Sequence, residues 1–205
     1  DGKVDIDEMV ELSIQGVTPE YVEQMRSYGF EDLTAEQLIE MRIHNITPEY
    51  YNSMRALGFE DLSIDHLVEM RIHNITPEYY QGMRQAGLGE LDIDQLVEMR
   101  IHNISPEYYQ SMLALGVEDL DIDQLVEFRI HNVSPEFVGV MRELNFPGLN
   151  AETLVELRIH NVTIDQARRA KEVYGDELTA EELAEMAAEG TLRKLMRAQK
   201  AQPEA

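Results

Sequence analysis

The chain repeats itself every 29 residues, and this period constrains its fold more than any other feature. A Thr/Ser-Pro-Glu tripeptide and an Arg-Ile-His-Asn string both recur at this step. The prolines are Pro19, Pro48, Pro77, Pro106 and Pro135, and the histidines are His44, His73, His102, His131 and His160. No insertion disturbs the register between Val4 and Val162. A strict period of this length is typical of arrays in which each unit contacts only its neighbours.

Each repeat carries the start and stop signals of two short helices. Thr47-Pro48 supplies an N-cap hydroxyl followed by proline at the first helical position, and Gly58 is suited to end that helix. Ser63 then caps a second helix that ends at Asn74. Helices of about 11 residues are marginally stable alone, so they must bury their apolar faces against neighbouring repeats. The sequence therefore predicts an all-α fold, an α-solenoid of stacked two-helix repeats with atypical terminal caps.

The predicted domain is a single one that covers residues 1–190. Its units begin near residues 18, 47, 76, 105, 134 and 163, after an N-terminal capping helix at 5–15. Residues 191–205 form a basic tail, predicted to be partly helical or disordered. Asn ends the second helix of the inner repeats, whereas Gly16 and Gly190 take its place at the two ends. Because Asn and Gly both tolerate positive φ, this position is predicted to be a left-handed helix stop.

Apolar periodicity predicts which side of each second helix is buried. In the helix after Ser63, the residues Ile64, Leu67, Val68 and Ile72 follow the 3.6-residue period. They are therefore expected to line one side of the core.

The charge balance restricts the partners of this chain. Its 40 acidic and 17 basic residues give a net charge of −23. Such a surface repels phosphate backbones, so nucleic acid is not expected, and a protein or peptide of positive charge is the predicted partner. No apolar stretch approaches the roughly 20 residues that span a bilayer, so this segment is not expected to insert into a membrane. The chain is expected to be a monomer.

No sequence feature predicts catalysis. The chain has no cysteine, no Gly-rich phosphate loop and no His-Glu-x-x-His motif. Every reactive residue type recurs with the repeat, whereas an active site is usually one special place. The sequence therefore predicts a non-enzymatic protein with no catalytic residue, no cofactor and no metal site.

Arginine and histidine each form a row with one member per repeat. The arginines are predicted to join one unit to the next, through glutamates such as Glu69 and Glu78 or through helix-end carbonyls; anion binding is the alternative. The histidines are predicted to lie at helix C-termini, where the dipole favours them; a pH- or metal-responsive row is the alternative. The two rows are Arg42, Arg71, Arg100, Arg129 and Arg158, and His44, His73, His102, His131 and His160.

Three repeats carry a Tyr-Tyr pair in the first helix. Adjacent residues on a helix point about 100° apart, so only the first tyrosine of a pair, such as Tyr50, is expected in the core. The second tyrosines, Tyr51, Tyr80 and Tyr109, are predicted to form a strip that contacts a partner. Packing between repeats is the alternative.

The string from Arg71 to Tyr79, Arg-Ile-His-Asn-Ile-Thr-Pro-Glu-Tyr, carries a family resemblance. It resembles tandem repeats of bacterial proteins in which Gly often replaces the Asn and Thr-Pro-Glu-Phe follows. Such arrays occur in regions attached to membrane-bound metallopeptidases of the beta-lactam-sensor type and in other envelope signalling proteins. The resemblance spans about Val4 to Gly190 and implies a module of a larger bacterial protein, outside the cytoplasmic membrane.

The predicted function is thus a non-enzymatic repeat scaffold that mediates interaction with a protein or peptide. The alternative is a pH- or metal-responsive sensory domain attached to a membrane peptidase or an anti-sigma-type protein. The peptidase motif of the similar proteins is absent from this chain, so no catalytic residue carries over from them.

Overall fold

A computed structural model describes residues 6–117 and 120–200. The described part holds fourteen α-helices and no β-strand. The helices are α1 (Ile6–Ile14), α2 (Pro19–Ser27), α3 (Ala35–Ile43), α4 (Pro48–Arg55), α5 (Ile64–Ile72), α6 (Pro77–Met83), α7 (Ile93–Ile101), α8 (Pro106–Ala114), α9 (Ile122–Ile130), α10 (Pro135–Leu144), α11 (Ala151–Ile159), α12 (Ile164–Tyr174), α13 (Ala180–Ala188) and α14 (Thr191–Lys200). A π-helical turn, Arg84–Leu88, continues α6.

Two helices make up each repeat, as the sequence predicts. We call α2, α4, α6, α8, α10 and α12 the A helices, and α1, α3, α5, α7, α9, α11 and α13 the B helices. The predicted capping helix at 5–15 is the B helix α1, and the first predicted position, residue 5, lies outside the described residues.

The contacts of the chain divide it into two compact units, residues 1–101 and residues 102–205, where the sequence predicts one domain over 1–190. In the first unit, the B helices α1, α3, α5 and α7 pack in that order. In the second unit, α9, α11 and α13 do the same, as do the A helices α8, α10 and α12. These helices thus pack on their equivalents one repeat away, which confirms an all-α, repeat-like fold.

The predicted N-caps explain where the helices begin. The hydroxyls of Thr47 and Thr76 accept hydrogen bonds of 3.2 Å from the backbone N–H three residues later, and proline occupies the first helical position. The B helices use reciprocal capping boxes, for example between Thr34 and Gln37 in α3. In α5 the ring of His66 takes the place of the glutamine.

A left-handed residue ends the B helices, as predicted. The φ angles of Asn45, Asn74, Asn103, Asn132 and Asn161 lie between 53° and 56°, and those of Gly16 and Gly190 are 70° and 76°. At the first of these stops, the N–H of Ile46 donates to the carbonyl of Met41 at 2.7 Å, which is the long bond of a Schellman motif. Ile46 itself is fully buried. We call the stop and the two residues after it, such as 45–47, a junction.

The expectation that Ile72 lines the core is wrong. Leu67 and Val68 of α5 are buried, but Ile72 is 56% exposed while Met70 is fully buried. Residues two positions apart on an α-helix point about 200° away from each other. Because Met70 is buried, Ile72 points away from the core. The same exchange, a fully buried residue followed two positions later by an exposed isoleucine, recurs along the chain. The buried residues are Met41, Met70, Met99, Phe128 and Leu157, and the exposed ones are Ile43, Ile72, Ile101, Ile130 and Ile159.

The basic tail begins as a helix. The helix α14, Thr191–Lys200, packs on α12 and α13 in the second unit, and Leu192 is 1% exposed. Arg193, Lys194 and Arg197 stay exposed. The prediction for 201–205 falls outside the described residues.

Candidate functional site

Buried tyrosines of the A helices hold the next junction through their hydroxyl groups. The hydroxyl of Tyr50 donates to the carbonyl of Ile75 at 2.9 Å. Tyr21 and Tyr108 do the same to the carbonyls 25 residues later, Ile46 and Val133, both at 2.8 Å. These buried carbonyls follow a helix stop and would otherwise lack a partner. The hydroxyl groups of these tyrosines therefore have a structural role.

Burial also changes the acidity of these hydroxyls. Removal from water raises the pKa of Tyr21, Tyr50, Tyr79 and Tyr108 to about 12. The positive charge of the nearest arginine, such as Arg71 beside Tyr50, lowers the pKa in part. The phenol groups accordingly stay protonated at neutral pH, and those of Tyr21, Tyr50 and Tyr108 act as donors.

The arginine row lies over these tyrosine rings. The guanidinium carbons of Arg71 and Arg100 lie 3.8 Å from the ring centres of Tyr50 and Tyr79. The distance is 4.9 Å for Arg42 over Tyr21, 4.7 Å for Arg129 over Tyr108, and 5.1 Å for Arg158 over Phe137. This is the geometry of a cation–π contact. The Nε atoms of Arg42, Arg71, Arg100 and Arg158 are buried and have no hydrogen-bond acceptor.

Four arginines of the row donate to backbone carbonyls at or just after the ends of B helices rather than to glutamates. Arg71 Nη2 donates to the carbonyl of Asn45, and Arg100 Nη2 to that of Asn74, both at 2.7 Å. Arg129 Nε donates to the carbonyl of His102 at 3.0 Å. Arg158 differs, because its Nη1 donates within its own repeat to Val162 at 3.2 Å. In this way Arg71 and Arg100 each hold the junction that precedes their own repeat.

A second set of cationic links was not predicted from the sequence. In the second unit, Arg142 Nη2 donates to the carbonyl of Gly116 at 2.7 Å, and Lys171 Nζ donates to that of Asn145 at 3.3 Å. Both acceptors are stops of A helices. The recurrence of a basic residue at this position, at 26, 55, 84, 142 and 171, is the signal that could have revealed them.

The second tyrosines do not form a surface strip, which corrects the expectation for Tyr51, Tyr80 and Tyr109. These side chains are only 4%, 4% and 7% exposed. The ring of Tyr51 lies 5.1 Å from those of Tyr28 and Phe30, and its hydroxyl donates to the carbonyl of Tyr28 at 3.3 Å. An A helix has a neighbour on either side, so both members of a Tyr-Tyr pair can be buried.

The histidine row lies at the ends of the B helices. His44, His73, His131 and His160 are the C-cap residues, and their backbone N–H groups donate into the preceding turn. They and His102 are half-buried. Nowhere in residues 6–117 and 120–200 do three carboxylate or imidazole side chains come together in a way that could hold a metal ion.

The exposed isoleucines form the most regular apolar feature of the surface. We call Ile43, Ile72, Ile101, Ile130 and Ile159 the isoleucine row; their exposure lies between 49% and 58%. Each ends a B helix and has a glutamate three residues before it, on the same helix face. The glutamates are Glu40, Glu69, Glu98, Glu127 and Glu156.

A cleft of about 520 Å³ accompanies this row in the second unit, between α9 and α11. Phe128, Val155 and Ile159 line its apolar part, and the acidic residues that line it are Glu127, Glu152 and Glu156. A smaller cleft of about 370 Å³ in the first unit is also acidic, with Glu60, Asp61, Asp92 and Asp94 among its lining residues. Both clefts thus combine carboxylates with apolar side chains.

None of the described helices has both the length and the apolar character needed to cross a bilayer. A search of protein-family models, curated proteins and solved structures finds no match to this chain.

Proposed function

We propose that this chain is a non-enzymatic α-solenoid scaffold that binds a cationic protein or peptide along its repeated surface. The observation that carries the proposal is the pairing of Tyr50 with Arg71 and its counterparts in the other repeats. The tyrosine hydroxyl and the arginine guanidinium are the polar groups most capable of taking part in a reaction or binding a ligand. Both instead donate hydrogen bonds to backbone carbonyls at junctions. Repetition of one such bond favours a structural role over an active site.

The packing of equivalent helices supports the solenoid. Within each unit the B helices contact their counterparts one repeat away, and the tyrosine and arginine links join elements 25 or 26 residues apart. Links between neighbouring repeats alone are the hallmark of quasi-one-dimensional folds. Such folds present extended surfaces for binding, which suits an interaction scaffold.

Charge supports the nature of the partner. The net charge is −23, and acidic side chains line the clefts of both units. Opposite charge on a partner would raise its association rate, whereas polyanions would be repelled. Following the resemblance of the repeats, we place this scaffold in a larger bacterial envelope protein.

A photo-crosslinking experiment tests the proposal. A photoreactive residue replaces one exposed residue at a time: Ile72 on a B helix, Asn52 on an A helix, or Glu60 in a loop. The protein is incubated with an extract of its host, and the affinity of any captured protein is then measured at low and high salt. We expect a discrete protein partner whose affinity falls steeply as salt is added. Capture of no protein from any position, or binding that is indifferent to salt, would contradict the proposal.

A thermal melt distinguishes the scaffold from the sensory alternative. A scaffold should melt at the same temperature with and without zinc or calcium. If either metal raises the melting temperature, the folded protein binds it, and the sensory interpretation replaces the scaffold.

A further inference from the structure

We infer that, within a unit, the members of the isoleucine row and their glutamates form a docking surface for a basic, amphipathic segment of a partner protein. This inference rests on the proposed function and adds to it the location of the surface and the chemistry of the partner. Its starting point is the exchange between Met70, which is fully buried, and Ile72, which is 56% exposed. Each B helix from α3 to α11 presents one large aliphatic side chain to solvent at the same position.

An aliphatic residue exposed once is ordinary, but a row of them is not. Contiguous apolar surface on a soluble protein, bordered by polar residues, marks an interaction site. In the first unit, Ile43, Ile72 and Ile101 lie on α3, α5 and α7, which pack one on the next. Their helix face also carries Glu40, Glu69 and Glu98, all exposed. None of the three carboxylates pairs with a cation in an ion pair that the described residues show.

The spacing of the row defines the segment that fits it. Packed helices lie about 8–10 Å apart, so successive isoleucines of one unit are separated by about that distance. A polyproline II segment rises about 9 Å in three residues and brings every third side chain back to the same side, and an α-helix rises about 10.5 Å in seven. The segment should therefore present an aliphatic side chain every third residue in the polyproline II conformation, or every seventh if α-helical. Basic residues between them would meet the glutamates.

Charge decides between this occupant and others. A second copy of this chain would bring its own glutamates and a net charge of −23 against the same face, and like charges disfavour that contact. Nucleic acid and anionic lipid carry the same disadvantage. A cationic segment gains from the glutamates and covers the isoleucines at the same time.

A defined peptide tests the inference on the full chain. The probe is a fluorescent peptide of about 12 lysines and leucines, with leucine at every third residue, long enough to cross three repeats in the polyproline II conformation. Two control peptides replace the leucines by serine or the lysines by glutamate. We expect the probe to bind in low salt, the serine peptide to bind at least about tenfold more weakly, and the glutamate peptide not to bind.

Variants of the chain place the binding on the row. The pair Ile72→Ser and Ile101→Ser should weaken probe binding about tenfold. The pair Glu69→Gln and Glu98→Gln should weaken it about threefold and reduce its salt dependence. Matched controls are Val173→Ser, which removes a 46% exposed aliphatic side chain elsewhere, and the pair Glu23→Gln and Glu143→Gln on A helices. These should change the affinity less than twofold, and all variants should melt at the wild-type temperature because the positions are exposed.

Three results would overturn the inference: no probe binding, equal losses in the row variants and their controls, or self-association of the free chain that Ile72→Ser and Ile101→Ser abolish. The last result would assign the row to a second copy.

Failure of the docking-surface inference is distinct from failure of the scaffold proposal. If the probe does not bind but a partner crosslinks at Asn52 or Glu60, the scaffold stands and the isoleucine row is not its binding face. If no position captures a partner, the scaffold itself is refuted.

Discussion

The guanidinium carbon of Arg71 lies 3.8 Å from the ring centre of Tyr50, and the two side chains hold opposite ends of one repeat. Arg71 donates to the carbonyl of Asn45 before the repeat, and Tyr50 donates to the carbonyl of Ile75 after it. The contact between guanidinium and ring couples the two bonds. This pair therefore positions two junctions at once, and several expectations for stability depend on it.

Replacement of Arg71 by lysine should destabilise the protein although the charge is kept. An ammonium group is compact and cannot stack flat on the Tyr50 ring while it donates to the Asn45 carbonyl. We expect a loss of about 1–2 kcal/mol in the free energy of unfolding, measured by urea denaturation. Arg26→Lys is the control, because Arg26 is exposed on α2. Equal effects of the two substitutions would show that the stacked geometry contributes nothing.

Alkaline pH should destabilise the fold through its buried tyrosines. The pKa of Tyr21, Tyr50, Tyr79 and Tyr108 is about 12 in the folded chain and about 10 in an unfolded one. Because the folded state favours the protonated form, this stabilisation is complete below about pH 10 and is lost as the pH rises to about 12. Each tyrosine accounts for roughly 1–3 kcal/mol of the loss. Urea-induced unfolding at several pH values measures this loss of stability.

Tyr50→Phe isolates one of these tyrosines. At neutral pH the variant should be less stable by about 1 kcal/mol, because the Ile75 carbonyl loses its donor. Its stability should also fall less between pH 10 and 12 than that of the parent chain. Tyr174→Phe serves as the control, since Tyr174 is 48% exposed and its replacement should leave both quantities unchanged. A steeper alkaline loss in Tyr50→Phe would refute the assignment.

The helix stop at Asn74 should distinguish alanine from glycine. Its φ angle is 53°, a conformation that costs most residues about 1–2 kcal/mol and glycine very little. Asn74→Ala should therefore lower the free energy of unfolding by about 1 kcal/mol, whereas Asn74→Gly should leave it nearly unchanged. Gly16 and Gly190, which occupy equivalent positions, are natural precedents. Similar effects of alanine and glycine would mean that the asparagine side chain itself is required.

Substitutions at two residues of α5 that are only two positions apart should differ strongly in their effect on stability. Met70→Ala removes a fully buried side chain and should cost about 2–5 kcal/mol. Ile72→Ser alters a side chain that is 56% exposed and should change stability by less than about 0.5 kcal/mol. Thermal melts of the two variants provide the comparison. A large effect at Ile72 would return that residue to the core.

Local signals made the helix boundaries predictable. An N-cap such as Thr47 or a stop such as Asn74 acts on backbone groups within one turn, so the residue type is enough to locate it. Burial is not local in this sense. Ile72 continues the periodicity of Val68 yet is exposed, because the neighbours of α5 lie on the side of Leu67 and Met70.

The tyrosine pairs show the same limit at the candidate site. Tyr51 was expected at the surface on the assumption that an A helix has one buried face. The helix α4 is covered on two, with Arg71 over Tyr50 and Tyr28 against Tyr51. For the arginine row, periodicity alone could not choose between glutamate and carbonyl acceptors. That choice depends on where the preceding junction lies, and the carbonyl of Asn45 points at Arg71 only once the repeats have stacked.

The left-handed stops and their bound carbonyls also restrict how such a chain can change in length. Arg71 reaches back 26 residues and Tyr50 reaches forward 25, so a gain or loss of one residue between Tyr50 and Arg71 would shift the register of both bonds. Excision of residues 48–76 would instead join Thr47 to Pro77 and present Asn45 to Arg100 in the register that Arg71 had. Recombination within the gene thus keeps this register when it lengthens or shortens the protein in whole steps of 29 residues, and each step adds or removes one isoleucine from the exposed row.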